Sequence, residues 1–340
     1  MVKMQKKSIL IVVLIILSIS GCRRADIDEP REFNYRTGTE GLYLKLPTNM
    51  PTEVYENDQD VRFIVEVRNR GAFPQSDEVD DFYGKLWMGG YDDRILQIYP
   101  RLGSSVYQGV DLDGYNLEGK SVYNRDGGYD AVEFQMDVGD LPPGMPYYRP
   151  RIIMTASYLY KTMANPMICV DPEPRSTRVR EKVCEIGDYS ALGSGGGSGR
   201  GGSVGAGLGS QGAPIAVTRV EEDVTGTDIL FKIYIQNVGG GLVILESDID
   251  NNPNEGYDWR DMNMIRIEDI KVGNVRMTEC RPAIGRDVEL IDERGYIFCR
   301  VDKSIAKGKA YVTPLNIILS YGYTTSIERD IEIFEEVSFR

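Results

Sequence analysis

Two stretches decide the fold: residues 61–71, VRFIVEVRNRG, and residues 229–239, ILFKIYIQNVG. In each stretch large apolar residues recur at every second position, and the run stops at Asn-x-Gly. A period of two is typical of a strand with one buried face, and Asn and Gly favour the turn that ends it. The two stretches therefore predict equivalent strands in two halves of the chain.

A second pair of stretches lies near the end of each half, ASYLYKT at residues 156–162 and LSYGYTT at residues 319–325. The first Tyr follows the Asn of Asn-x-Gly by 89 residues in the first half and by 84 in the second. Two matching features in the same order and at nearly the same separation predict a tandem duplication of one fold.

Short runs of β-forming residues separate these features, with Gly, Pro, Asn and Asp between them and no apolar stripe of helical period. The clearest runs are 85–88, 95–99, 131–136 and 296–301. Many short strands in a unit of this size predict a β-sandwich. The Tyr-x-Tyr strand is similar to the tyrosine corner of Ig-like folds, in which a Tyr hydroxyl binds backbone at a sheet corner. The strand that ends in Asn-x-Gly resembles the start of CARDB-like modules, which are Ig-like domains of prokaryotic surface proteins. The resemblance implies an all-β chain with two tandem Ig-like β-sandwich domains.

The N-terminus has the order of a secretory signal. Three lysines in residues 1–7 precede the apolar run ILIVVLIIL at residues 9–17, and Ile-Ser-Gly-Cys follows, ending at Cys22. This ending resembles the lipobox of prokaryotic lipoproteins, which implies cleavage before Cys22 and lipidation of its sulfur. The alternative is an ordinary signal peptide or a short anchor. An export signal followed by two such modules is also similar to secreted proteins of archaea.

The composition along the chain predicts five segments. We expect a lipoprotein signal peptide at 1–21, a flexible polar tether at 22–40, a first Ig-like domain at 41–186, a Gly-rich linker at 187–213 and a second Ig-like domain at 214–340. The linker rests on residues 193–212, more than half of which are glycine. Glycine at this density cannot bury apolar surface, and a long disordered insertion is the alternative to a linker.

Four cysteines remain besides Cys22, and they form two close pairs in the sequence, Cys169 with Cys184 and Cys280 with Cys299. An even number in an exported chain predicts disulfides, whereas free thiols are the alternative for a cytosolic chain. Neither pair has the spacing of a zinc site or of a thioredoxin-like motif.

The chain has no histidine and a formal net charge of −13. Without histidine, Ser-His-Asp and Cys-His catalysis are excluded, and so is zinc held by histidine. Carboxylate chemistry of the glycosidase kind remains as a less favoured alternative. The acidic surface disfavours nucleic acid as a partner. We therefore expect a protein that is not an enzyme and has no cofactor, and bound calcium is the alternative.

Two acidic loops place oxygen-bearing side chains at nearly alternate positions, as calcium-binding loops do. The candidate calcium ligands are Asp111, Asp113, Asn116 and Glu118 in one loop and Asp248, Asp250, Asn252 and Asn254 in the other. Solvated turns are the alternative for both loops.

The loop-rich middle of the first half is also rich in tyrosine, at positions 91, 99, 107, 115, 123 and 129. Exposed tyrosines suit the recognition of a surface protein or a glycan, and packing under long loops is the alternative. Together these features predict a lipid-anchored protein on the extracytoplasmic side of the cell membrane, with a role in cell-surface adhesion or envelope scaffolding. The alternative function is an accessory subunit that presents substrate to a transporter or secretion complex.

Overall fold

The two alternating stretches form the strands that the sequence predicts. Residues Val61–Asn69 and Asp228–Asn237 are extended, and in both strands every second side chain is buried. The computed structural model describes residues 34–48, 50–77, 82–100, 109–176, 182–190 and 208–336. The predicted signal peptide, Cys22 and the start of the tether lie outside the described residues.

Strands make up nearly all of the regular structure, and the described residues contain no α-helix. The strands of the first half are β1 (Leu42–Lys45), β2 (Glu53–Tyr55), β3 (Val61–Asn69), β4 (Gly84–Gly89), β5 (Leu96–Pro100), β6 (Val110–Asp111), β7 (Tyr129–Val138), β8 (Tyr147–Tyr148), β9 (Arg151–Ala164), β10 (Met167–Val170) and β11 (Asp188–Ser190). Those of the second half are β12 (Ile215–Val224), β13 (Asp228–Asn237), β14 (Leu242–Ile244), β15 (Met264–Val272), β16 (Val275–Arg276), β17 (Glu279–Arg281), β18 (Asp287–Glu289), β19 (Arg294–Asp302), β20 (Tyr311–Asp330) and β21 (Glu332–Phe334). Three short 3-10 helices span Glu246–Asp248, Pro253–Glu255 and Lys303–Ala306. The all-β prediction is confirmed, and all four short runs named above fall on strands.

Each half has an outer sheet, and the two halves share a central one. The outer sheet of the second half also contains β11, which precedes that half in the sequence. The outer sheets have the orders β1-β3-β7-β5 and β11-β12-β13-β19-β17. In the nine-stranded central sheet the order is β16-β15-β20-β9-β4-β6, with β10 and β14 paired to β20 and β18 paired to β15. A three-stranded sheet, β2-β21-β8, brings the last strand beside the first half. Apolar side chains of both halves belong to one buried core, as expected when sheets pack face to face.

The halves meet along β9 and β20, which pair antiparallel over the full 14 residues of β9. Tyr160 lies opposite Tyr321, and Tyr158 opposite Tyr323. The four rings are buried and make edge-to-face or tilted contacts with centroids 5.8–6.4 Å apart. This geometry is favourable for aromatic pairs. The Tyr-x-Tyr motif of each half is therefore part of the contact between the halves.

The second Tyr of each motif binds the turn that ends the alternating strand. In the first half the Tyr160 hydroxyl donates to Asn69 Oδ1 (3.3 Å), and that oxygen also accepts the Gly71 backbone N–H (3.0 Å). In the second half Tyr323 donates to Asn237 Oδ1 (3.0 Å) and accepts the Gly241 N–H (2.7 Å). A side chain on Gly71 would collide with the Tyr160 hydroxyl. The Asn-x-Gly motif is thus required by the close approach of this tyrosine.

The first Tyr of each motif accepts a backbone N–H from a strand of the outer sheet, β1 in the first half and β12 in the second. Leu42 N donates to the Tyr158 hydroxyl oxygen (3.1 Å), and Ile215 N donates to that of Tyr321 (3.3 Å). The two Tyr-x-Tyr motifs that correspond in the sequence therefore make equivalent hydrogen bonds in the two halves. In a tyrosine corner the hydroxyl binds backbone a few residues upstream, whereas the Tyr158 hydroxyl binds Leu42, 116 residues upstream.

The prediction of two separate domains on a flexible linker is not confirmed. Tyr35–Arg340 forms one compact unit, and the β9–β20 ladder makes the central sheet continuous between the halves. Residues 188–190, assigned to the linker, form β11 and pair with β12. Gly212, also assigned to the linker, accepts the Ala72 N–H (2.6 Å) and donates to Gly38 O (3.2 Å). The glycine content of the segment predicted flexibility. The backbone groups of residues 188–190 and Gly212 nevertheless form hydrogen bonds, which composition does not reveal. Residues 191–207 lie outside the described residues.

The end of the predicted tether also differs from the expectation. Gly38 N donates to Ser210 Oγ (2.8 Å), so the last residues of the 22–40 segment lie against the residues that lead into the second half. A polar, aperiodic sequence can be ordered when its backbone finds partners, and that is the reason for the difference.

Candidate functional site

The predicted calcium ligands do not converge on a cation site. Asp111 and Asp250, one from each loop, both form ion pairs with the Lys85 ammonium, at 3.4 and 3.2 Å. Partial burial of Lys85 opposes its charged form, but the hydrogen bonds and charges of the two carboxylates outweigh it and raise the Lys85 pKa. The described residues contain no group of three or more His, Cys, Asp or Glu that could hold a metal ion. The Lys85 ammonium therefore already lies where the two loops meet and offsets part of their negative charge.

The other candidate ligands have local roles. Asn252 caps a 3-10 helix by accepting the Asn254 N–H (3.0 Å), and Asn254 donates to Met88 O (2.9 Å). Asp248 accepts from Asn251 (2.9 Å), and its pKa is raised by burial and then by the charges of Asp261 and Asp258. In the first loop Asp113 is exposed, and the backbone groups of Asn116 and Glu118 bind Asp130 Oδ2 and Gly128 N.

The tyrosines of the first half occupy varied environments. Tyr123 is 99% exposed and Tyr129 is 43% exposed, whereas Tyr91 and Tyr115 pack partly against the core and Tyr99 binds Asp137. Tyr107 lies outside the described residues. Only some of these side chains are therefore available for recognition.

A basic groove, which the sequence did not predict, lies on the outward face of β1, β3 and β7. It has a volume of about 490 Å³. Its lining residues are Tyr43, Lys45, Glu66, Arg68, Arg70, Lys120, Arg125, Asp126 and Tyr129. Five of them are cationic and two are acidic, in a chain whose net charge is −13. The groove is therefore a basic region on a strongly acidic protein.

Strand register builds the floor of the groove. Arg68 lies opposite Tyr43 on β1 and opposite Tyr129 on β7, so an arginine stands between two tyrosines. The Arg68 guanidinium lies 5.2 Å from the centroid of the Tyr129 ring, and that of Arg70 lies 3.4 Å from the centroid of the Tyr43 ring. Stacking on an aromatic face orients a guanidinium and leaves its N–H edge available for an anion.

The wall of the groove is fixed by the same turn that binds Tyr160. Asn69 Nδ2 donates to Leu117 O (2.8 Å), and Lys120 N donates to Gly71 O (2.7 Å). The segment that carries Lys120 is therefore tied to the end of β3, beside Arg68 and Arg70. A groove that is anchored in this way is present before any ligand binds.

A second feature is a buried carboxyl group in the second half, that of Glu222 on β12. Glu222 is 7% exposed, and Tyr189 donates to its Oε2 (3.2 Å), while its Oε1 has no hydrogen-bond partner. Burial raises the pKa of Glu222 to about 8, although the bond from Tyr189 works in the opposite direction. The carboxyl group is thus mostly protonated at neutral pH.

The predicted cysteine pairs are bonded. Cys169 on β10 bonds Cys184, and the Lys182 ammonium closes the same loop by an ion pair with Asp171 (2.6 Å). Cys280 on β17 lies directly opposite Cys299 on β19 and bonds it across the strands. Each half therefore holds one disulfide, at different points of the fold.

Comparisons with known proteins do not identify a family. No family model matches the chain, and no curated protein matches it. One solved structure with some similarity is named BspA_C_WT. The two chains are 7% identical, the match covers 85% of this chain and 97% of that one, and the TM-score is 0.16. A TM-score of this size supports no argument about fold or function.

The described residues contain no helix long and apolar enough to cross a membrane.

Proposed function

We propose that this chain is a lipid-anchored protein on the extracytoplasmic side of the cell membrane. In this proposal it acts by binding or as a scaffold in cell-surface adhesion or the envelope, and not as an enzyme. Cleavage before Cys22 would make that cysteine the lipidated first residue, and residues 23–33 would link the lipid to the folded body. The two halves would be Ig-like, CARDB-like modules fused side by side.

The single observation that carries the proposal is the pair of disulfides, one in each half. Disulfides persist in oxidising compartments and are rare in the cytosol, where thiols are kept reduced. With these four cysteines bonded, Cys22 is the one cysteine left in the chain. Its position directly after a basic and apolar leader supports lipidation.

The continuous packing of the two halves supports a binding or scaffolding role. The shared central sheet and the buried tyrosines hold the two halves in one unit, so any recognition surface has a fixed geometry. The absence of histidine from the whole sequence removes the side chain best suited to proton transfer near neutral pH. A rigid, disulfide-bonded body on a lipid anchor is suited to presenting a surface.

Thiol mapping tests the proposed compartment. The protein would be recovered from the native host with free thiols blocked by an alkylating reagent during lysis, and then digested without reduction. The proposal predicts Cys169 joined to Cys184 and Cys280 joined to Cys299, with no alkylated form of the four. Recovery of these cysteines as alkylated thiols would place the protein in a reducing compartment and contradict the proposal.

A further inference from the structure

The basic groove of the first half has features that the fold itself does not require. The second half provides an internal control, because its β13 ends in the same Asn-x-Gly turn. Asn237 corresponds to Asn69, so Gln236 and Val238 stand where the first half has Arg68 and Arg70. Both halves build the same strand end and the same tyrosine contact. The two arginines are therefore dispensable for the fold.

The charges of the groove are only partly neutralised by the protein. Lys45 pairs with Glu66 at 3.2 Å and Arg70 with Glu40 at 3.1 Å. Within the described part of the chain, neither Arg68 nor Lys120 has a carboxylate in ion-pair distance. The floor and the wall thus each present a cation to the same concave space. An anion placed there would gain charge-assisted hydrogen bonds.

Size and composition indicate the kind of anion. A groove of about 490 Å³ fits a ligand of one or two sugar units and is too small and concave for a flat protein surface. A long polyanion such as nucleic acid would extend from the groove onto a protein of net charge −13, which would repel it. Tyr129 is exposed at the rim, and an aromatic side chain offers apolar contact to the faces of a sugar ring. Carboxylate, hydroxyl and ring contacts all have complementary groups here.

We propose that the groove formed by Tyr43, Arg68, Arg70, Lys120 and Tyr129 binds a short acidic saccharide, whose carboxylate is held by Arg68 and Lys120. The guanidinium of Arg68, stacked between strands, supplies a planar pair of donors to a carboxylate. Lys120 supplies a second positive charge from the opposite wall. This inference rests on the proposed non-catalytic binding role, but its test does not depend on the lipid anchor.

Calorimetric titration with digalacturonate, at low salt, tests the proposal on the full-length mature protein, taken from whichever cell fraction holds it. Saturable binding is expected, and it should weaken as salt rises. The neutral disaccharide galactobiose should not bind measurably, and inorganic sulfate should bind at least tenfold more weakly than digalacturonate. Equal binding of sulfate and digalacturonate would mean a general anion site and would overturn the proposal, as would the absence of saturable binding.

Matched variants locate the site. Arg68→Gln should weaken digalacturonate binding at least tenfold, and Lys120→Gln should also weaken it. Arg62→Gln is the control, because Arg62 lies on the same strand and the same face, about 20 Å away along β3, and pairs with Asp60 at 2.8 Å. The control should bind within twofold of the unmodified protein. Thermal melts establish that each variant is folded, and a folded Arg68→Gln protein with unchanged affinity would refute the assignment.

An anchor that proves absent would leave this binding result intact, so the two proposals fail separately.

Discussion

Glu222 should make the stability of this protein fall as pH rises from acid to neutral and mildly basic values. Its pKa is about 8 in the folded chain against an ordinary value of 4.5. A raised carboxyl pKa means that the folded state holds a proton that the unfolded state has already released between these two values. The contribution of the Glu222 proton to the free energy of unfolding is therefore complete below pH 4.5 and is lost progressively up to about pH 8. Each pH unit in this window costs about 1.4 kcal/mol, so the total is up to about 5 kcal/mol.

Glu222→Gln isolates this effect, because the amide cannot ionise. The amide oxygen can still accept the bond from Tyr189. In the variant, position 222 no longer titrates and so adds no pH dependence to the free energy of unfolding. Between pH 4.5 and 8 we therefore expect the unmodified protein to lose several kcal/mol of stability relative to the variant. Urea unfolding followed by circular dichroism at intervals of pH measures the difference directly.

The neighbouring Glu221 provides the control. Its side chain is 34% exposed and pairs with Arg219 at 2.6 Å, so Glu221→Gln should change stability by less than about 1 kcal/mol. If the curves for Glu222→Gln and the unmodified protein ran parallel across the window, the burial argument for Glu222 would be wrong.

Three further predictions concern the frame of the fold. Tyr160→Phe removes a buried hydroxyl and should lower the free energy of unfolding by about 1–3 kcal/mol, whereas Tyr123→Phe, on a side chain that is 99% exposed, should leave it unchanged in the same denaturant titration. Lys85→Met removes the cation between two acidic loops and should lower the free energy of unfolding by about 1 kcal/mol at low salt. Thermal melts at increasing salt should show this loss shrinking, because counterions screen the repulsion between the loops. Alanine at both Cys169 and Cys184 opens a loop of sequence separation 15 and should cost about 3 kcal/mol. No loss of stability on opening this loop would indicate that the ion pair beside it already orders the chain.

The local features of the fold could be predicted from the sequence because they rest on short-range patterns. Alternation of apolar residues gave β3 and β13, and the recurrence of Asn-x-Gly and Tyr-x-Tyr located matching positions in the two halves. The reason for that recurrence was not visible, since it lies in bonds such as Tyr160 to Asn69, across 91 residues. Two close cysteine pairs, in a chain whose N-terminus predicts export, were also sufficient to predict the disulfides.

The relation between the halves could not be predicted, because it depends on backbone groups that carry no side-chain signal. The β9–β20 ladder joins residues more than 150 positions apart. Gly38 and Gly212 are ordered by backbone hydrogen bonds, which a count of glycines cannot reveal.

The basic groove was missed for a related reason. Tyr43, Arg68 and Tyr129 are distant in sequence and meet only through strand register. One signal was present: Arg68 and Arg70 correspond to Gln236 and Val238 in the second half. Comparing the two halves position by position would have marked these charges as additions to the shared fold. The calcium prediction rested on the spacing of acids within each loop. The sequence did not show that the two loops meet at Lys85.

The most direct test of the central proposal is the mass of the N-terminal peptide of the protein isolated from membranes of its native host. Lipid anchoring predicts a chain that begins at Cys22 and carries the mass of a diacylglyceryl group on that cysteine. A chain that begins at Met1, recovered from the soluble cytosol, would contradict the anchor and with it the proposed role outside the cell.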